Sequence, residues 1–256
     1  MYSFFKNIYK ILIPKSWKFN IEPNIRKLVY ILAYKGENRK CLICSSKSKK
    51  FISISFYNGD EKICPNCGAL SRSRALGEYV KKNFKDRSLK ILDFSPHRSL
   101  HDFFKSIFEN YISSDFENQF HAQKSYDITQ INEADQSFDL IICFHVLEHV
   151  LEDKKAIKEL SRILKKNGHL LIQVPLKKGG TYQDNSIISK EERLKAFGQQ
   201  DHVRIYGEDS LPLILKESGF IAKAVNIVKE YNSEEKKLYG FSENEIVYIC
   251  RKSTIS

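Results

Sequence analysis

The 256-residue sequence lacks any long apolar run. No stretch reaches the roughly 18 apolar residues that a membrane-spanning helix requires, so we expect a chain that does not cross a bilayer. A secretory signal is also missing, because Lys6 and Lys10 interrupt the first apolar segment and no small-residue cleavage site follows. We therefore expect a cytoplasmic protein with reduced thiols. Its 42% of hydrophobic residues can bury a full core.

Acidic residues are scarce at the amino-terminal end. The first 50 residues hold ten Lys and two Arg against two Glu, which places +10 of the formal net charge of +11 there. Such a basic end predicts a local contact with phosphates or an anionic membrane. Two amphipathic helical patterns lie here, over Tyr2–Ile13 and Asn24–Tyr34. They could pack against the main domain, or residues 1–14 could make a peripheral contact with the inner face of the membrane.

Four of the six cysteines form the pattern C-x2-C-x19-C-x2-C. They are Cys41, Cys44, Cys64 and Cys67. Between the pairs, the alternation over Lys50–Phe56 and the turn Asn58-Gly59 predict a hairpin that brings the four thiols together. Four thiolates predict a tetrahedral structural Zn2+ site of the zinc-ribbon kind, with no open position for catalysis. Two disulfides or four unrelated thiols are the alternatives, and reduced thiols argue against the first.

From Ser88 onward, short apolar runs alternate with helical patterns, which is typical of βαβ units. The predicted strands are Lys90–Asp93, Tyr111–Asp115, Leu140–Phe144, His169–Val174, Ile221–Ile227 and Glu245–Arg251. The predicted helices are Pro96–Glu109, Val146–Lys165 and Asp209–Ser218, preceded by Ala69–Phe84. Right-handed crossovers then give an α/β fold with a doubly wound, Rossmann-like, mostly parallel sheet, whose ligand crevice lies at the carboxyl ends of the strands.

Polar side chains follow the predicted strands at that crevice. The candidate cofactor-binding residues are Asp93, Ser95, Pro96, Asp115, Asp127 and His145. Asp115 closes the second strand, where a carboxylate can hold ribose hydroxyls, and Asp127 could accept a hydrogen bond from an adenine amino group. Ser95 as N-cap and Pro96 at the first helical position predict a helix whose amino terminus points into the crevice. This set predicts a nucleotide-type ligand.

The order of these segments resembles class I S-adenosylmethionine-dependent methyltransferases. The matching segments are Ile91-Leu92-Asp93, Ile112-Ser113-Ser114-Asp115, Tyr126-Asp127-Ile128, Ser137 to Ile142, Val146-Leu147-Glu148-His149-Val150 and Leu164 to Leu170. The resemblance covers about Ser88 to Arg251. More narrowly, the cysteine pairs, the Ser95-Pro96 loop and the stretch from Gly198 to Gly207 resemble bacterial methyltransferases of the type 11 group with an amino-terminal zinc ribbon. The resemblance implies that S-adenosyl-L-methionine is the cofactor and that a methyl group is transferred from its sulfonium.

Glycine is missing where that family normally has it. The family's first motif reads D-x-G-x-G, and here Asp93 is followed by Phe94-Ser95-Pro96-His97. Glycines permit close approach of backbone to ligand, so the cofactor either packs differently or binds weakly. Complete loss of cofactor binding would leave a degenerate, non-catalytic, zinc-dependent interaction module.

The string His145-Val146-Leu147-Glu148-His149 formally matches H-x-x-E-H, the pattern of inverzincin peptidases. We reject a peptidase, because the string begins where a strand ends and a similar V-L-E-H stands at this place in many methyltransferases. His145, Glu148 and His149 would share a helical face, which leaves metal-assisted methyl transfer open. The alternative is a helix start in which His149 is a packing residue.

The stretch from Pro175 to Asp209 is too long for an ordinary connection, and such loops tend to be functional. We interpret residues 176–208 as an insert that covers the substrate. Tyr182, Arg204 and Tyr206 are its candidate substrate-binding residues. His202 is the candidate general base, with His149 as a second catalytic candidate, because an imidazole can take a proton at neutral pH. A structural, salt-bridged loop is the alternative.

These patterns predict three regions and one leading function. The regions are a basic amphipathic segment over 1–38, the zinc-ribbon module with its linking helix over 39–86, and a methyltransferase domain over 87–256. We expect O- or N-methyl transfer to a small-molecule or glycan acceptor. The alternatives are an RNA methyltransferase that uses the zinc ribbon and basic arm, and the degenerate module.

Overall fold

The computed structural model describes residues 15–56, 59–117 and 122–253. The first predicted helix, Tyr2–Ile13, and its membrane contact lie outside the described residues. Helix α1 covers Lys15–Val29 and continues into a π-helical turn at Tyr30–Tyr34. It begins earlier than predicted and contains Pro23. Within the described ranges, no helix combines the length and the apolar character needed to cross a membrane.

Four short strands form the amino-terminal module. Strand β1 (Lys35–Lys40) pairs antiparallel with β2 (Lys47–Ser48), and β3 (Ile52–Phe56) pairs antiparallel with β4 (Gly59–Ile63). The second pair is the predicted hairpin. Helix α2 (Ser71–Asn83) follows it, close to its predicted bounds.

The remaining elements include the six predicted strands. The strands are β5 (Lys90–Phe94), β6 (Asn110–Ser114), β7 (Phe138–Phe144), β8 (Leu164–Gln173), β9 (Leu176–Lys177), β10 (Tyr182–Gln183), β11 (Arg204–Gly207), β12 (Phe220–Asn226) and β13 (Ile246–Lys252). The helices are α3 (Arg98–Ile107), a 3-10 turn at Leu147–His149, α4 (Asp153–Ile163), α5 (Lys190–Phe197), α6 (Leu211–Glu217) and α7 (Ser233–Tyr239). Strands β9, β10 and β11 and helices α5 and α7 come in addition to the predicted set.

Six strands build the central sheet in the order β6-β5-β7-β8-β13-β12. The first four run parallel, and β13 is antiparallel to both of its neighbours. The predicted α/β fold with a mostly parallel sheet is confirmed. The chain passes from β5 to β6 on one side and then to β7 on the other, so the strand order reverses at β5. Ligands bind outside the carboxyl ends of strands at such a point.

Both faces of the sheet are covered, because successive side chains of a strand point to opposite sides. On β7, Ile141 and Cys143 join the core formed with α4 and α6, whereas Leu140 and Ile142 join the core formed with α2 and α3. The linking helix α2 therefore packs on the sheet itself. Its Arg74 is fully buried and donates to the carbonyl oxygens of Ala69, Tyr239 and Gly240, which joins the cysteine module to the loop after α7.

Two helix predictions are wrong in detail. The helix predicted over Val146–Lys165 is interrupted: a 3-10 turn at Leu147–His149 precedes α4, and the Arg204 guanidinium binds the carbonyl oxygens of Leu147, Val150 and Leu151 in this region. Strand β8 also begins at Leu164, inside the predicted helix. The helix predicted from Pro96 begins at Arg98 instead. Its N-cap is His97, whose ring accepts from the Ser99 amide, so Ser95 is not the N-cap.

Candidate cofactor site

Ser95 occupies the first glycine position of the D-x-G-x-G motif and adopts the backbone conformation that favours glycine. Its φ is 49°, in the left-handed region that costs an ordinary residue roughly 1–2 kcal/mol. Its amide donates to the Ser114 carbonyl oxygen at 2.7 Å, and its hydroxyl donates to Asp115 Oδ1 at 2.9 Å. These two bonds tie the loop after β5 to the end of β6 and hold the turn open without glycine.

A cavity of about 290 Å³ opens at the carboxyl ends of β5, β6 and β7. This volume lies near the lower end of the roughly 300–1,000 Å³ typical of ligand pockets. It is lined by Phe94, Ser95, Asp115, Phe116, Glu117, Tyr126, Asp127, Ile128, His145, Val146, His149, Val150 and Asp201. Four of the six predicted cofactor residues, together with His149, therefore meet at the strand-order reversal.

Asp93 and Pro96 do not line this cavity. Asp93 is fully buried behind the loop and accepts a hydrogen bond from the Tyr111 hydroxyl at 2.9 Å. Burial raises the pKa of Asp93 to about 8, against a smaller lowering by Tyr111, so its carboxyl carries a proton at neutral pH. Asp93 is therefore placed away from the cavity surface, and its predicted part in cofactor binding stays a prediction.

Asp127 and Phe116 border the same cavity on the side of β6. Asp127 is exposed, and its Oδ1 accepts from the amide and the hydroxyl of Thr129 at 2.8 Å each. This contact fixes the carboxylate at the mouth. Phe116 leaves 61% of its surface exposed and offers an aromatic face next to Asp115. Phe116 was not among the predicted site residues. Its position directly after Asp115, the carboxylate predicted to hold ribose hydroxyls, could have indicated it.

The opposite wall follows β7. His145 has φ 54°, and its Nδ1 lies 3.2 Å from Glu148 Oε1. Glu148 is buried, and burial by itself raises its pKa. The hydrogen bond from His145 and the charges of His145 and His149 together lower the pKa by more than that, so the net shift is downward. A strained backbone beside an ionised buried acid is typical of functional positions. The string His145 to His149 starts directly after β7, as expected, but it forms a 3-10 turn at Leu147–His149 rather than the start of the predicted helix.

His149 and His202 come together although 52 positions in the sequence lie between them. Their ring centroids are 4.7 Å apart in an edge-to-face arrangement. His149 lines the cavity, and its Nδ1 lies 3.3 Å from Asp201 Oδ2. His202 is buried behind it, and burial lowers the pKa of its imidazole, which is neutral at physiological pH. The predicted base therefore lies next to the cavity rather than on its wall.

The predicted substrate residues of the insert have other surroundings. Arg204 is fully buried; besides the three carbonyls named above, its Nε donates to Gln183 Oε1 at 2.9 Å. The buried Tyr206 hydroxyl donates to Asp153 at 2.6 Å. The polar atoms of both residues connect the insert to the turn after β7 and to the start of α4, and neither residue lines the cavity. Their substrate-binding role stays a prediction. Tyr182 lies outside the cavity wall and packs against Phe197.

The four predicted metal ligands form one cluster. The Sγ atoms of Cys41 and Cys67 are 3.7 Å apart, as are those of Cys44 and Cys64, and all four lie within 4.8 Å of one another. A tetrahedron with Zn–S bonds of about 2.3 Å has sulfur–sulfur edges of about 3.8 Å. The thiols therefore fit a Zn2+ ion, which would hold the two cysteine loops together.

Comparison with known proteins assigns the class. The family model described as a methyltransferase domain matches residues 69–222, which is more than half of the chain. The chain therefore belongs to this methyltransferase family. The match begins at the end of the cysteine module and includes α2, in agreement with the packing of that helix on the sheet.

One curated protein and two solved structures illustrate what the chain is similar to. The uncharacterized protein MJ0638 of Methanocaldococcus jannaschii is 33% identical over 117 residues, which cover 43% of this chain and 51% of that protein. The chain thus spans about half the length of this curated relative. Among solved structures, the YcgJ protein of Bacillus subtilis is 14% identical with a TM-score of 0.47, covering 70% of this chain and 98% of that one. The Burkholderia thailandensis 1,6-didemethyltoxoflavin-N1-methyltransferase, solved with S-adenosylhomocysteine, is 14% identical with a TM-score of 0.49, covering 72% and 79%.

Proposed function

We propose that this protein is an S-adenosylmethionine-dependent methyltransferase that acts on a small-molecule or glycan acceptor. The observation that carries the proposal is the cavity at the strand-order reversal, in which Asp115, Asp127 and Phe116 lie on one wall and His145 and His149 on the other. Family membership supports the same reaction.

The cavity residues suit the parts of an adenosyl cofactor. Asp115 would accept from the ribose hydroxyls, and the exposed ring of Phe116 would pack on the adenine face, with Asp127 near its amino group. Ser95 replaces the first motif glycine without closing the loop, which supports retention of cofactor binding over the degenerate module. The cofactor supplies an electrophilic methyl group on its sulfonium. The chain's part is then to align an acceptor atom with that methyl, which alone accelerates a displacement strongly.

The acceptor end is bounded by His145 and His149. Their imidazoles can donate or accept hydrogen bonds, which suits hydroxyl or amine groups of a small molecule or sugar. A membrane-linked acceptor is compatible with α1 and the π-helical turn after it, where Ile25, Leu28, Ile31 and Leu32 are exposed. Exposed lysines lie nearby, at Lys27, Lys35, Lys40, Lys49 and Lys50. Apolar residues flanked by lysines support a peripheral contact with anionic lipid better than an RNA contact.

Flotation with anionic and with neutral vesicles tests the lipid contact. The double variant Leu28→Glu, Leu32→Glu should abolish binding to anionic vesicles, and Lys223→Glu on β12 is the control for added acidic charge. Binding that is the same in wild type and double variant would remove the membrane proposal.

Transfer of a labelled methyl group tests the proposed reaction. The full-length protein is incubated with methyl-labelled S-adenosylmethionine and, in separate reactions, with small metabolites, oligosaccharides and total RNA. Label in the first or second fraction, lost in Asp115→Asn, supports the proposal. Label confined to RNA would favour the RNA methyltransferase. Absence of cofactor binding together with absence of transfer would leave the non-catalytic module.

A further inference from the structure

Three side chains outside the proposed cofactor contacts meet beside the acceptor end of the cavity, and one of them, His149, lines it. Glu148, His149 and His202 each place one potential ligand atom within 4.8 Å of the others. Glu148 and His149 belong to the 3-10 turn after β7, and His202 belongs to the insert. The Val203 amide donates to the Glu148 carbonyl oxygen at 2.9 Å, so the backbone itself holds the two segments together.

Two of these side chains are buried with polar atoms unsatisfied. Glu148 is 1% exposed and His202 is 2% exposed. Among the residues that the structure describes, Glu148 Oε2 and His202 Nδ1 have no hydrogen-bond partner. Buried polar atoms are rarely left so, since each costs free energy that a bound partner would recover. A carboxylate oxygen and an unprotonated imidazole nitrogen each offer a lone pair, and a metal ion can bind both at once.

We propose that Glu148, His149 and His202 bind a divalent transition-metal ion beside the acceptor end of the cavity. One carboxylate and two imidazoles form a donor set that suits Mn2+, Fe2+ or Zn2+ and leaves coordination positions open. Neighbouring groups orient the ligands: Asp201 Oδ2 lies 3.3 Å from His149 Nδ1, and His145 Nδ1 lies 3.2 Å from Glu148 Oε1. Carboxylate–histidine contacts of this kind fix the ring and its tautomer in metal sites.

The position of the ion defines a substrate class, and this step rests on the proposed function. Among the three ligands, His149 lines the cavity, so an ion bound to it would lie beside the space proposed for the acceptor and could bind an acceptor oxygen. A hydroxyl oxygen that binds there has a lower pKa and releases its proton to solvent. That oxygen forms a bond to the methyl carbon while the carbon–sulfur bond breaks and leaves its electron pair on sulfur. The products are a methyl ether and S-adenosylhomocysteine, so the acceptor is a hydroxyl compound.

Manganese is the probe, because Mn2+ prefers oxygen and nitrogen donors and discriminates against a four-thiolate site. The full-length protein, with the metal of its cysteine cluster retained, is titrated with Mn2+ and free Mn2+ is measured by electron paramagnetic resonance. Any metal already bound outside the cysteines is counted by mass spectrometry. We expect one site per chain. Glu148→Gln and His202→Asn should abolish it, and Asp201→Asn should weaken it roughly 10- to 100-fold.

Two controls keep the result interpretable. His169→Asn removes an imidazole at the other end of the sheet, where it accepts from Arg251, and should leave Mn2+ binding unchanged. Asp201 has a half-exposed side chain, so Asp201→Asn reports on the site even where the buried variants fail to fold. A wild-type protein that binds S-adenosylhomocysteine but no metal outside the cysteine cluster would overturn the inference and leave the proposed function intact. Mn2+ affinity equal in wild type and Asp201→Asn would also overturn it. A metal site without cofactor binding would instead count against the proposed function.

Discussion

The Ser95 hydroxyl donates to Asp115 Oδ1 at 2.9 Å, across the tips of two neighbouring parallel strands. This contact joins the residue that replaces the family's first glycine to the carboxylate proposed to hold ribose. It explains how a loop without glycine keeps the left-handed conformation at Ser95, where φ is 49°. The absence of glycine therefore lowers the stability of the folded chain but does not change the conformation of the loop.

The substitution pair Ser95→Gly and Ser95→Ala tests that explanation. Both remove the bond to Asp115, but only glycine relieves the left-handed backbone, so Ser95→Gly should be more stable than Ser95→Ala by about 1 kcal/mol. Urea unfolding measures the difference. Ser161 lies inside α4, and there alanine should be the more stable substitution by a similar amount. An alanine variant at Ser95 at least as stable as the glycine variant would contradict the account.

The buried carboxyl of Asp93 predicts a pH dependence of stability. Its pKa is raised to about 8, so between about pH 4 and about pH 8 the folded chain holds a proton that the unfolded chain has lost. The stability that Asp93 contributes is therefore full below about pH 4 and falls as the pH rises to about 8. Wild type should lose stability relative to Asp93→Asn across this window, with a slope of up to about 1.4 kcal/mol per pH unit.

The matched control is Asp86→Asn. Asp86 is exposed, and its hydrogen bonds with Ser88 lower its pKa, so its effect lies below about pH 4. A difference between wild type and Asp93→Asn that stays constant from about pH 5 to about pH 8 would show that Asp93 is ionised in the folded protein.

The cysteine cluster predicts a structural zinc ion. Purified protein should contain one Zn2+ per chain in this cluster, and Cys64→Ser should lose it together with several kcal/mol of stability, because binding of the ion contributes to folding of the module. Mass spectrometry and thermal unfolding measure both. Cys250→Ala, which removes a buried thiol of the main sheet, should retain the ion. Retention of zinc in Cys64→Ser would contradict this assignment.

The contacts of Arg204 predict that its substitution lowers the free energy of unfolding substantially. Arg204→Met removes four hydrogen bonds of a buried guanidinium, three to turn carbonyls and one to Gln183, which should cost about 3 kcal/mol. Arg251→Met, at a residue exposed on β13, is the control and should cost less than about 1 kcal/mol. A variant that stays as stable as wild type but loses acceptor binding would support the substrate-binding role that the sequence predicted.

Local sequence patterns were sufficient to predict the strands of the central sheet and four of the residues that line the cavity. Apolar runs located the six strands, and an acid at a strand end located Asp115, because these signals depend on neighbours in sequence. The break after β7 could not be predicted, since the partner of its carbonyl oxygens, Arg204, lies more than 50 positions away. The proton on Asp93 depends on burial, and the meeting of His149 with His202 depends on the return path of the insert. Neither leaves a local pattern.

Calorimetric titration with S-adenosylhomocysteine tests the central claim most directly. The wild-type protein should bind one molecule per chain, Asp115→Asn should weaken binding at least 10-fold through loss of a charge-assisted hydrogen bond, and Asp86→Asn should bind like wild type. Equal affinity of wild type and Asp115→Asn, or no binding by a folded wild-type protein at millimolar ligand, would contradict the assignment of the cavity to an adenosyl cofactor.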